Sequence, residues 1–290
     1  MNLSPIIVGC MKLGSWGANL SSKELEHFID GCLDMGLLDF DHADIYGGHT
    51  SEKEFGDVLS RRPDLRKKVE ITTKCGILMK SEQRPDVKLK HYNLSAEYIR
   101  SSVDTSLKNL RVDRLKLFLL HRPDVLLNPH EVAEVIHDLQ KEGKINHFGV
   151  SNFSPSQFDL LNACIELETN QIQASLLHLD PFIDGTLDQL HLLGVQPTAW
   201  SPLGGGNIMS GDDPRSKRIR EAAKDLCSTH SCSLDQLMFA WLARHPSGII
   251  PVTGTSKLER VKSALHASMI HLTHEEWYQL WSGSTGEKVA

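Results

Sequence analysis

Four side chains that can hold or move a proton stand at or just beyond the ends of short apolar runs. They are Asp41, Tyr46, Lys74 and His121. A phenol has a pKa of about 10, so it donates a proton slowly at neutral pH unless its surroundings tune it. A nearby ammonium lowers that pKa, and a carboxylate would hold the ammonium in place. The set has no evident activated nucleophile or water base. It therefore favours carbonyl reduction over hydrolysis, with the tyrosine as proton donor and the histidine orienting the carbonyl oxygen.

Each of these four residues has an ordinary structural explanation when it is taken alone. An aspartate at a strand end usually caps or anchors a loop, and a lysine there commonly extends towards the surface. A histidine after an apolar run is commonly a hydrogen-bonded core residue, and the tyrosine could simply pack beneath a loop. The four types together, on neighbouring strands, favour a proton-donating site over these separate explanations.

The elements that must position these residues follow from the spacing of apolar side chains. Eight short apolar runs indicate strands at residues 6–9, 37–41, 69–74, 117–121, 145–150, 172–175, 196–200 and 249–252. Segments with helical spacing follow them, and several begin at a capping residue such as Ser21 or Ser95, or at Asn128-Pro129. Ser256 is expected to begin the helix after the eighth strand.

Eight strands, each followed by a helix, predict a single-domain (β/α)₈ barrel over residues 1–290, with parallel strands inside and helices outside. An open, doubly wound sheet is the alternative. It would usually carry a G-x-G-x-x-G turn after the first strand, and the sequence has none there. The carboxyl ends of all barrel strands meet at one face, where active sites lie. The four residues are therefore expected to meet there, beside the longer connections at 75–94 and 201–214.

Composition and charge narrow the possible partners. The 290 residues are 40% hydrophobic and 23% charged, with a net charge of −6, which argues against nucleic acid or an anionic membrane as the main partner. Six scattered cysteines without a C-x-x-C pair indicate a reducing compartment. The start lacks a signal-peptide pattern, and no apolar run is long enough to span a bilayer. The histidines show no metal-ligand spacing. We expect a cytoplasmic monomer without a metal.

Four stretches of the sequence resemble the aldo-keto reductase superfamily. They are FDHADIYG at 40–47, ITTK at 71–74, LLHRPD at 119–124 and GKINHFGVSNF at 143–153. The last is the most specific, and the likeness extends from Gly9 to about Ala267. The resemblance implies a barrel enzyme that uses NADPH, and it places Asp41, Tyr46, Lys74 and His121 on the family's catalytic tetrad.

The same resemblance implies where NADPH would bind. Contacts to the nicotinamide are implied for Ser151, Asn152, Gln171 and Trp200, the last by stacking on the ring. Contacts near the pyrophosphate are implied for Ser201, Leu203, Gly204 and the two glycines that follow. Contacts to the adenosine 2′-phosphate are implied for Gly254, Thr255, Ser256, Lys257 and Arg260. A helix N-terminus attracts phosphate, and arginine adds bidentate recognition.

Some of these cofactor positions have plainer explanations, and the sequence departs from the family pattern in places. Trp200 could fill the core, the glycines could form only a flexible turn, and the two cations could lie on a solvated helix face. His42 stands where many members carry Thr or Ser. Ser263-Ala264 replace a Glu-Asn pair that many members carry near the adenine. The sequence therefore predicts a phosphate site more firmly than adenine contacts.

The sequence as a whole predicts an NADPH-dependent oxidoreductase that interconverts aldehydes or ketones with alcohols. One alternative is a weakly active or non-catalytic barrel that binds NADPH and reports redox state to a partner. Turnover of a good aldehyde separates these two. A second alternative is a barrel isomerase or lyase without a cofactor, since a fold alone does not set function. Cofactor binding separates that one. The physiological carbonyl is not encoded in any motif of this sequence.

Overall fold

The short apolar runs form the strands, and eight of them make one parallel sheet. The computed structural model describes residues 1–289, with strands β1 (Ile7–Gly9), β2 (Asp39–Asp41), β3 (Glu70–Cys75), β4 (Ile77–Leu78), β5 (His91–Tyr92), β6 (Leu115–Leu120), β7 (Ile145–Ser151), β8 (Asn170–Gln173), β9 (Thr198–Trp200) and β10 (Ile250–Thr253). The parallel strands follow the order β1-β10-β9-β8-β7-β6-β3-β2 of a closed barrel. The predicted (β/α)₈ class is confirmed.

Amphipathic segments form the helices around these strands. The helices are α1 (Ser22–Asp34), α2 (Ser51–Arg61), α3 (Pro63–Arg66), α4 (Ala96–Leu110), α5 (Pro129–Lys141), α6 (Pro155–Asn162), α7 (Thr186–Leu192), α8 (Asn207–Ser210), α9 (Pro214–Thr229), α10 (Leu234–Ala243), α11 (Leu258–His266) and α12 (His274–Thr285). The predicted cap is present at Ser21, whose side chain accepts a hydrogen bond from the Glu24 amide. Ser95 caps α4 in the same way.

Two features of the fold differ from the sequence prediction. The helix predicted from Ser256 begins at Leu258 instead. The hydroxyl of Thr255 accepts a hydrogen bond from the amide of Lys257 at 3.1 Å, and this local turn precedes the first helical residue. The sequence predicts only a loop for the long connection after β3. It contains the antiparallel hairpin of β4 and β5, whose two-residue strands are too short to give an alternating pattern.

The chain contains two compact units, and the first holds the four candidate catalytic residues. It comprises Met1–Asn170 and Gly254–Leu258. In its sheet β2 pairs with β3, and β3 pairs with β6, all in parallel. The register sets Asp41 opposite Thr72 and Lys74 opposite Leu119. Asp41 and Lys74 therefore lie near the carboxyl ends of adjacent strands, and His121 follows directly after β6.

The second unit comprises Gln171–Thr253 and the chain from Glu259 onward, and an aromatic cluster stabilises it. Trp241 and Trp277 stack with ring centroids 4.9 Å apart. Each indole N–H donates to the other residue's carbonyl, at 3.2 and 3.0 Å, so these buried polar groups are satisfied. Across residues 1–289, every helix is too short or too polar to traverse a bilayer.

Candidate active site

A buried ammonium group is at the centre of the candidate site. The side chain of Lys74 is 1% exposed. Its Nζ donates to Asp41 Oδ2 at 2.7 Å, to the His42 carbonyl at 2.8 Å and to the Tyr46 hydroxyl at 3.2 Å. An ammonium has three donors, and here all three are used. Burial alone would lower the pKa of Lys74, but the charge of Asp41 and these hydrogen bonds raise it overall. The lysine is therefore charged and fixed in position.

The tyrosine hydroxyl beside this ammonium keeps its proton at neutral pH. Tyr46 begins a short 3₁₀ turn after β2 and is buried. Burial raises the pKa of its phenol, while the neighbouring charge of Lys74 lowers it, and the net direction is upward. The sequence prediction included the effect of the lysine but not the larger effect of burial. The resulting group is a protonated acid held against a cation, and that cation would stabilise phenolate once the proton has left.

A neutral imidazole completes the group. The ring of His121 meets the ring of Tyr46 edge-on, with centroids 6.0 Å apart. Burial, together with the charge of Lys74, holds the pKa of His121 well below its usual range. Its Nδ1 is buried and has no hydrogen-bond partner among residues 1–289. A neutral histidine has one N–H donor, so it can donate to a carbonyl oxygen without competing for the proton of the tyrosine.

An aromatic side chain that sequence reasoning did not assign to the substrate site lies next to the tyrosine. Trp16 follows β1, and its ring centroid is 6.2 Å from that of Tyr46. The indole is 41% exposed, so it presents an apolar face to solvent beside the candidate proton donor. The signal that could have identified it is its place in the loop after a barrel strand, where residues of the catalytic face lie.

A second carboxyl group, also unassigned by the sequence, lies two residues before the tyrosine. Burial and the nearby Glu52 raise the pKa of Asp44 to about 8, although Arg84 opposes this. The Tyr98 hydroxyl donates to its Oδ2 at 3.3 Å, and its Oδ1 has no partner among the described residues. Asp44 is therefore a neutral acid at neutral pH, and it takes up a proton when the chain folds.

This proton uptake predicts a pH-dependent stability. Between the unfolded pKa of Asp44, about 4, and the folded pKa of about 8, folding binds a proton, so stability falls as pH rises. Asp44→Asn keeps the neutral shape and removes the proton. From a pH of about 5.5 to about 7.5, urea unfolding should show wild type losing roughly 2 kcal/mol more than the variant. Asp86→Asn, on an exposed loop, is the control. Equal pH slopes for wild type and Asp44→Asn would contradict the assignment.

Among the implied cofactor residues of the first unit, Asn152 has a left-handed backbone and several others are accessible to solvent. Asn152 has a positive φ of 62°, and its amide donates to Ser151 Oγ at 2.7 Å and to the His121 carbonyl at 3.4 Å. Asparagine is among the non-glycine residues that adopt this left-handed conformation most readily. Gly254 and Lys257 are exposed, and Thr255 and Ser256 are half-buried.

The implied cofactor residues of the second unit include a run of left-handed backbone after β9. Ser201 has a φ of 53°, and the three glycines from 204 to 206 have φ values of 59°, 69° and 103°. A side chain at Gly205 or Gly206 would meet no atom within 4 Å, so the backbone there is open to a ligand. Leu203 and Trp200 are half-buried, Gln171 is buried and Arg260 is exposed.

The structure thus brings Asp41, Lys74, Tyr46 and His121 together. Ser151 ends β7, and the side-chain amide of Asn152, the next residue, donates to the His121 carbonyl. Within residues 1–289 no cluster of three or more His, Cys, Asp or Glu has the arrangement of a metal site. A charged lysine, a protonated phenol and a neutral imidazole can transfer one proton to an oxygen that is gaining negative charge.

The family comparison and the named relatives agree on one family of oxidoreductases. Residues 5–282 match a family described as the Aldo/keto reductase family. The uncharacterized oxidoreductase YcsN of Bacillus subtilis is 40% identical, over 100% of this chain and 97% of its own length. The oxidoreductase YdhF of Escherichia coli is 40% identical, over 99% and 95%. A 6-dehydroglucose reductase of Agrobacterium fabrum is 38% identical, over 100% and 97%.

A solved structure has the same fold. It is the thermostable aldo-keto reductase Tm1743 in complex with the inhibitor epalrestat, with a TM-score of 0.81. The match covers 97% of this chain and 95% of that one, at 22% sequence identity. At that identity the likeness supports the barrel fold alone.

Proposed function

This chain belongs to the aldo/keto reductase family of oxidoreductases, and from that premise we propose that it reduces an aldehyde or ketone to an alcohol with NADPH. The single observation that carries the proposal is the contact of one buried ammonium, Lys74 Nζ, with both Asp41 Oδ2 and the Tyr46 hydroxyl. Carbonyl reduction is the family's general reaction. The arrangement supplies the proton that this reaction needs.

The protein's own residues move this proton and stabilise the charge that it leaves behind. Tyr46 donates its proton to the carbonyl oxygen as that oxygen becomes negative. Lys74, whose Nζ is 3.2 Å from the phenol oxygen, stabilises the resulting phenolate, and Asp41 keeps the lysine charged. His121 donates its N–H to the same carbonyl oxygen and so orients the substrate. The hydride is the contribution of bound NADPH.

The residues implied for NADPH fit its chemistry. Ser151, Asn152 and Gln171 offer hydroxyl and amide groups that can pair with a carboxamide. Left-handed, open glycine backbone after β9 can approach a pyrophosphate closely. Lys257 and Arg260 are exposed, and among residues 1–289 neither has a carboxylate partner. Two unpaired cations near the start of α11 support a phosphate ligand, and therefore NADPH rather than NADH.

Arg260→Ala should weaken NADPH binding and leave NADH binding nearly unchanged. A charged hydrogen bond contributes roughly 1.5–3 kcal/mol, so the Kd for NADPH should rise about tenfold or more. Lys262→Ala is the matched control, because Lys262 is an exposed cation on the same helix but about 200° around it. An equal loss of affinity for NADPH and NADH in Arg260→Ala would contradict the assignment of Arg260 to the 2′-phosphate. An equal loss of NADPH affinity in Lys262→Ala would contradict it too.

NADPH binding should quench tryptophan fluorescence through Trp200. Stacking on the nicotinamide would bring the indole into direct contact with an acceptor of its excitation. Trp200→Leu should therefore lose most of the quench, whereas Trp281→Phe, within the aromatic cluster of the second unit, should keep it. Equal quenching in wild type and Trp200→Leu would identify another tryptophan, such as Trp16, as the reporter and would show that Trp200 is misplaced.

The proposed function is tested by incubating the protein with NADPH and a panel of aldehydes and ketones, and following the loss of reduced-cofactor absorbance. The panel should include 6-dehydroglucose, because two relatives carry the name 6-dehydroglucose reductase. Turnover supports the reductase. Tight NADPH binding without turnover of any carbonyl would favour the redox-sensor alternative. Absence of binding of both NADPH and NADH would favour a barrel enzyme that needs no cofactor.

A further inference from the structure

The C-terminal end of α9 is closed by a paired backbone arrangement. The amide of Cys232 donates to the carbonyl of Cys227 at 2.9 Å, and the amide of Ser231 donates to that of Ser228 at 3.2 Å. Ser231 adopts a left-handed φ of 49°. These two bonds and the left-handed residue define a Schellman motif, in which the side chains of the first and last bonded residues commonly meet.

Two other helices of this chain share the longer of these bonds and place apolar residues at the two meeting positions. At the end of α4 the amide of Val112 donates to the carbonyl of Leu107 at 3.3 Å. At the end of α7 the amide of Val195 donates to that of Leu190 at 2.9 Å. The helix α9 has two cysteines at these positions, so the motif places two thiols side by side where a pair of aliphatic side chains would suffice for packing.

The two thiols are neighbours and are partly accessible. The Cys227 and Cys232 side chains are close enough for the Cys232 thiol to raise the pKa of Cys227, and both residues are half-buried free cysteines. Solvent can therefore reach this pair, whereas Cys10, Cys32 and Cys75 are buried.

A basic surface pocket adjoins the pair. Cys227 lines it together with the cations Lys217, Arg220 and Lys224 and the single carboxylate of Glu221. Asp212 lies 3.7 Å from Lys217, and the charge of Asp235 acts on both thiols. The lining of the pocket itself has three positive groups and one negative group, which favours an anionic ligand at its mouth. A small disulfide that carries carboxylates has both the charge for this pocket and the sulfur that a thiolate attacks.

We propose that Cys227 and Cys232 form a dithiol modification site that anionic low-molecular-weight disulfides oxidise reversibly to an intramolecular disulfide. The Cys227 thiolate attacks one sulfur of the external disulfide, which forms a mixed disulfide and releases one external thiolate. The Cys232 thiolate then attacks the Cys227 sulfur and displaces the second external thiolate. The two protons lost by the cysteines pass to the two released thiolates. The protein pair is oxidised by two electrons, and the external disulfide is reduced by two.

The surroundings set the rate of this exchange. Burial, the neighbouring Cys232 thiol and the charge of Asp235 together raise the pKa of Cys227 to about 11. Because the thiolate is the attacking species, the reaction should be slow at neutral pH and faster as pH rises. Once the mixed disulfide forms, the second step is intramolecular between neighbouring side chains, so the ring closes before a second external molecule can react.

The experiment uses the reduced full-length protein, oxidised glutathione as the probe and a pH of about 8.5, where exchange is measurable. Free thiols are then blocked with a maleimide, and the protein is digested with trypsin. Residues 225–244 form one tryptic peptide that contains both cysteines, and Cys164 lies in a different one. In the wild type the maleimide labels on the 225–244 peptide should fall from two to none, and its unlabelled mass should fall by two hydrogens. Dithiothreitol should restore both labels.

Two variants separate the proposed ring from unspecific oxidation. In Cys232→Ser the ring cannot close, so Cys227 should accumulate as a glutathione adduct. Cys164→Ser is the control and should leave the 225–244 peptide as in wild type. Full maleimide labelling of the wild-type peptide after oxidation would overturn the proposal. A stable glutathione adduct on wild-type Cys227, or a disulfide to another chain, would overturn it equally. None of these outcomes depends on reductase activity.

Discussion

Replacing Tyr46 with phenylalanine should lower kcat by about 10²–10⁴, the usual contribution of a positioned general acid. The substitution removes one hydroxyl and keeps the buried ring that packs near Trp16 and His121. Without the hydroxyl no group at this position can protonate the carbonyl oxygen. The measurement is steady-state turnover with NADPH and several carbonyls, together with the Kd for NADPH.

The cofactor affinity of Tyr46→Phe should stay near that of wild type, because its hydroxyl is proposed to face the substrate. Tyr278→Phe is the matched control, since Tyr278 lies on α12 and is 45% exposed. It should change neither kcat nor affinity. A Tyr46→Phe enzyme that loses NADPH binding as strongly as turnover would instead indicate that the hydroxyl contributes to the cofactor site.

Replacing Lys74 with methionine should have the second largest effect, on both turnover and stability. The phenolate would lose the cation 3.2 Å away, so kcat should fall by about 10² or more. Asp41 would remain buried without the charge of Lys74, and breaking a buried ion pair costs about 3–5 kcal/mol. Urea unfolding measures this loss. The kcat losses of Tyr46→Phe and Lys74→Met should not add, because both act on one proton transfer.

A paired substitution separates the two effects of Lys74. The variant that combines Lys74→Met with Asp41→Asn removes both buried charges, so it should recover much of the stability while its kcat stays low. Lys144→Met, which removes a more exposed lysine paired with Asp104, should be close to wild type in both respects. Recovery of kcat along with stability in the paired variant would show that Lys74 acts only as a structural residue.

The sequence was sufficient to predict the barrel and the meeting of the four polar residues. Periodicity locates strands well when apolar runs are bounded by caps and turns, as at Ser21 and Ser95. In a parallel barrel the ends of adjacent strands must then lie side by side, so Asp41 and Lys74 could be expected to meet without knowledge of any distance. The residue types and the strand order predict which side chains lie close together. The hydrogen bonds between them follow from that proximity.

Features that depend on burial could not be read from spacing. The phenol of Tyr46 has a raised pKa because the surrounding core outweighs the lysine, and the neutral state of Asp44 has the same origin. The displaced start of α11 depends on one side-chain contact within Thr255–Lys257. Two-residue strands such as β4 are too short to show an alternating pattern of apolar and polar side chains. The backbone bond from Cys232 to Cys227 accompanies the left-handed conformation of Ser231, a non-glycine residue that gives no sequence signal.

The central claim, that Tyr46 gives the proton of a carbonyl reduction, is tested most directly by a single-turnover experiment. Enzyme loaded with NADPH is mixed with an aldehyde in excess, and the loss of reduced cofactor is followed through the first hydride transfer. This design removes cofactor release, which can limit turnover and hide a chemical defect. The account predicts that Tyr46→Phe slows this step by about 10²–10⁴ while Tyr278→Phe matches wild type. An unchanged rate in Tyr46→Phe would contradict it and assign the proton to another group.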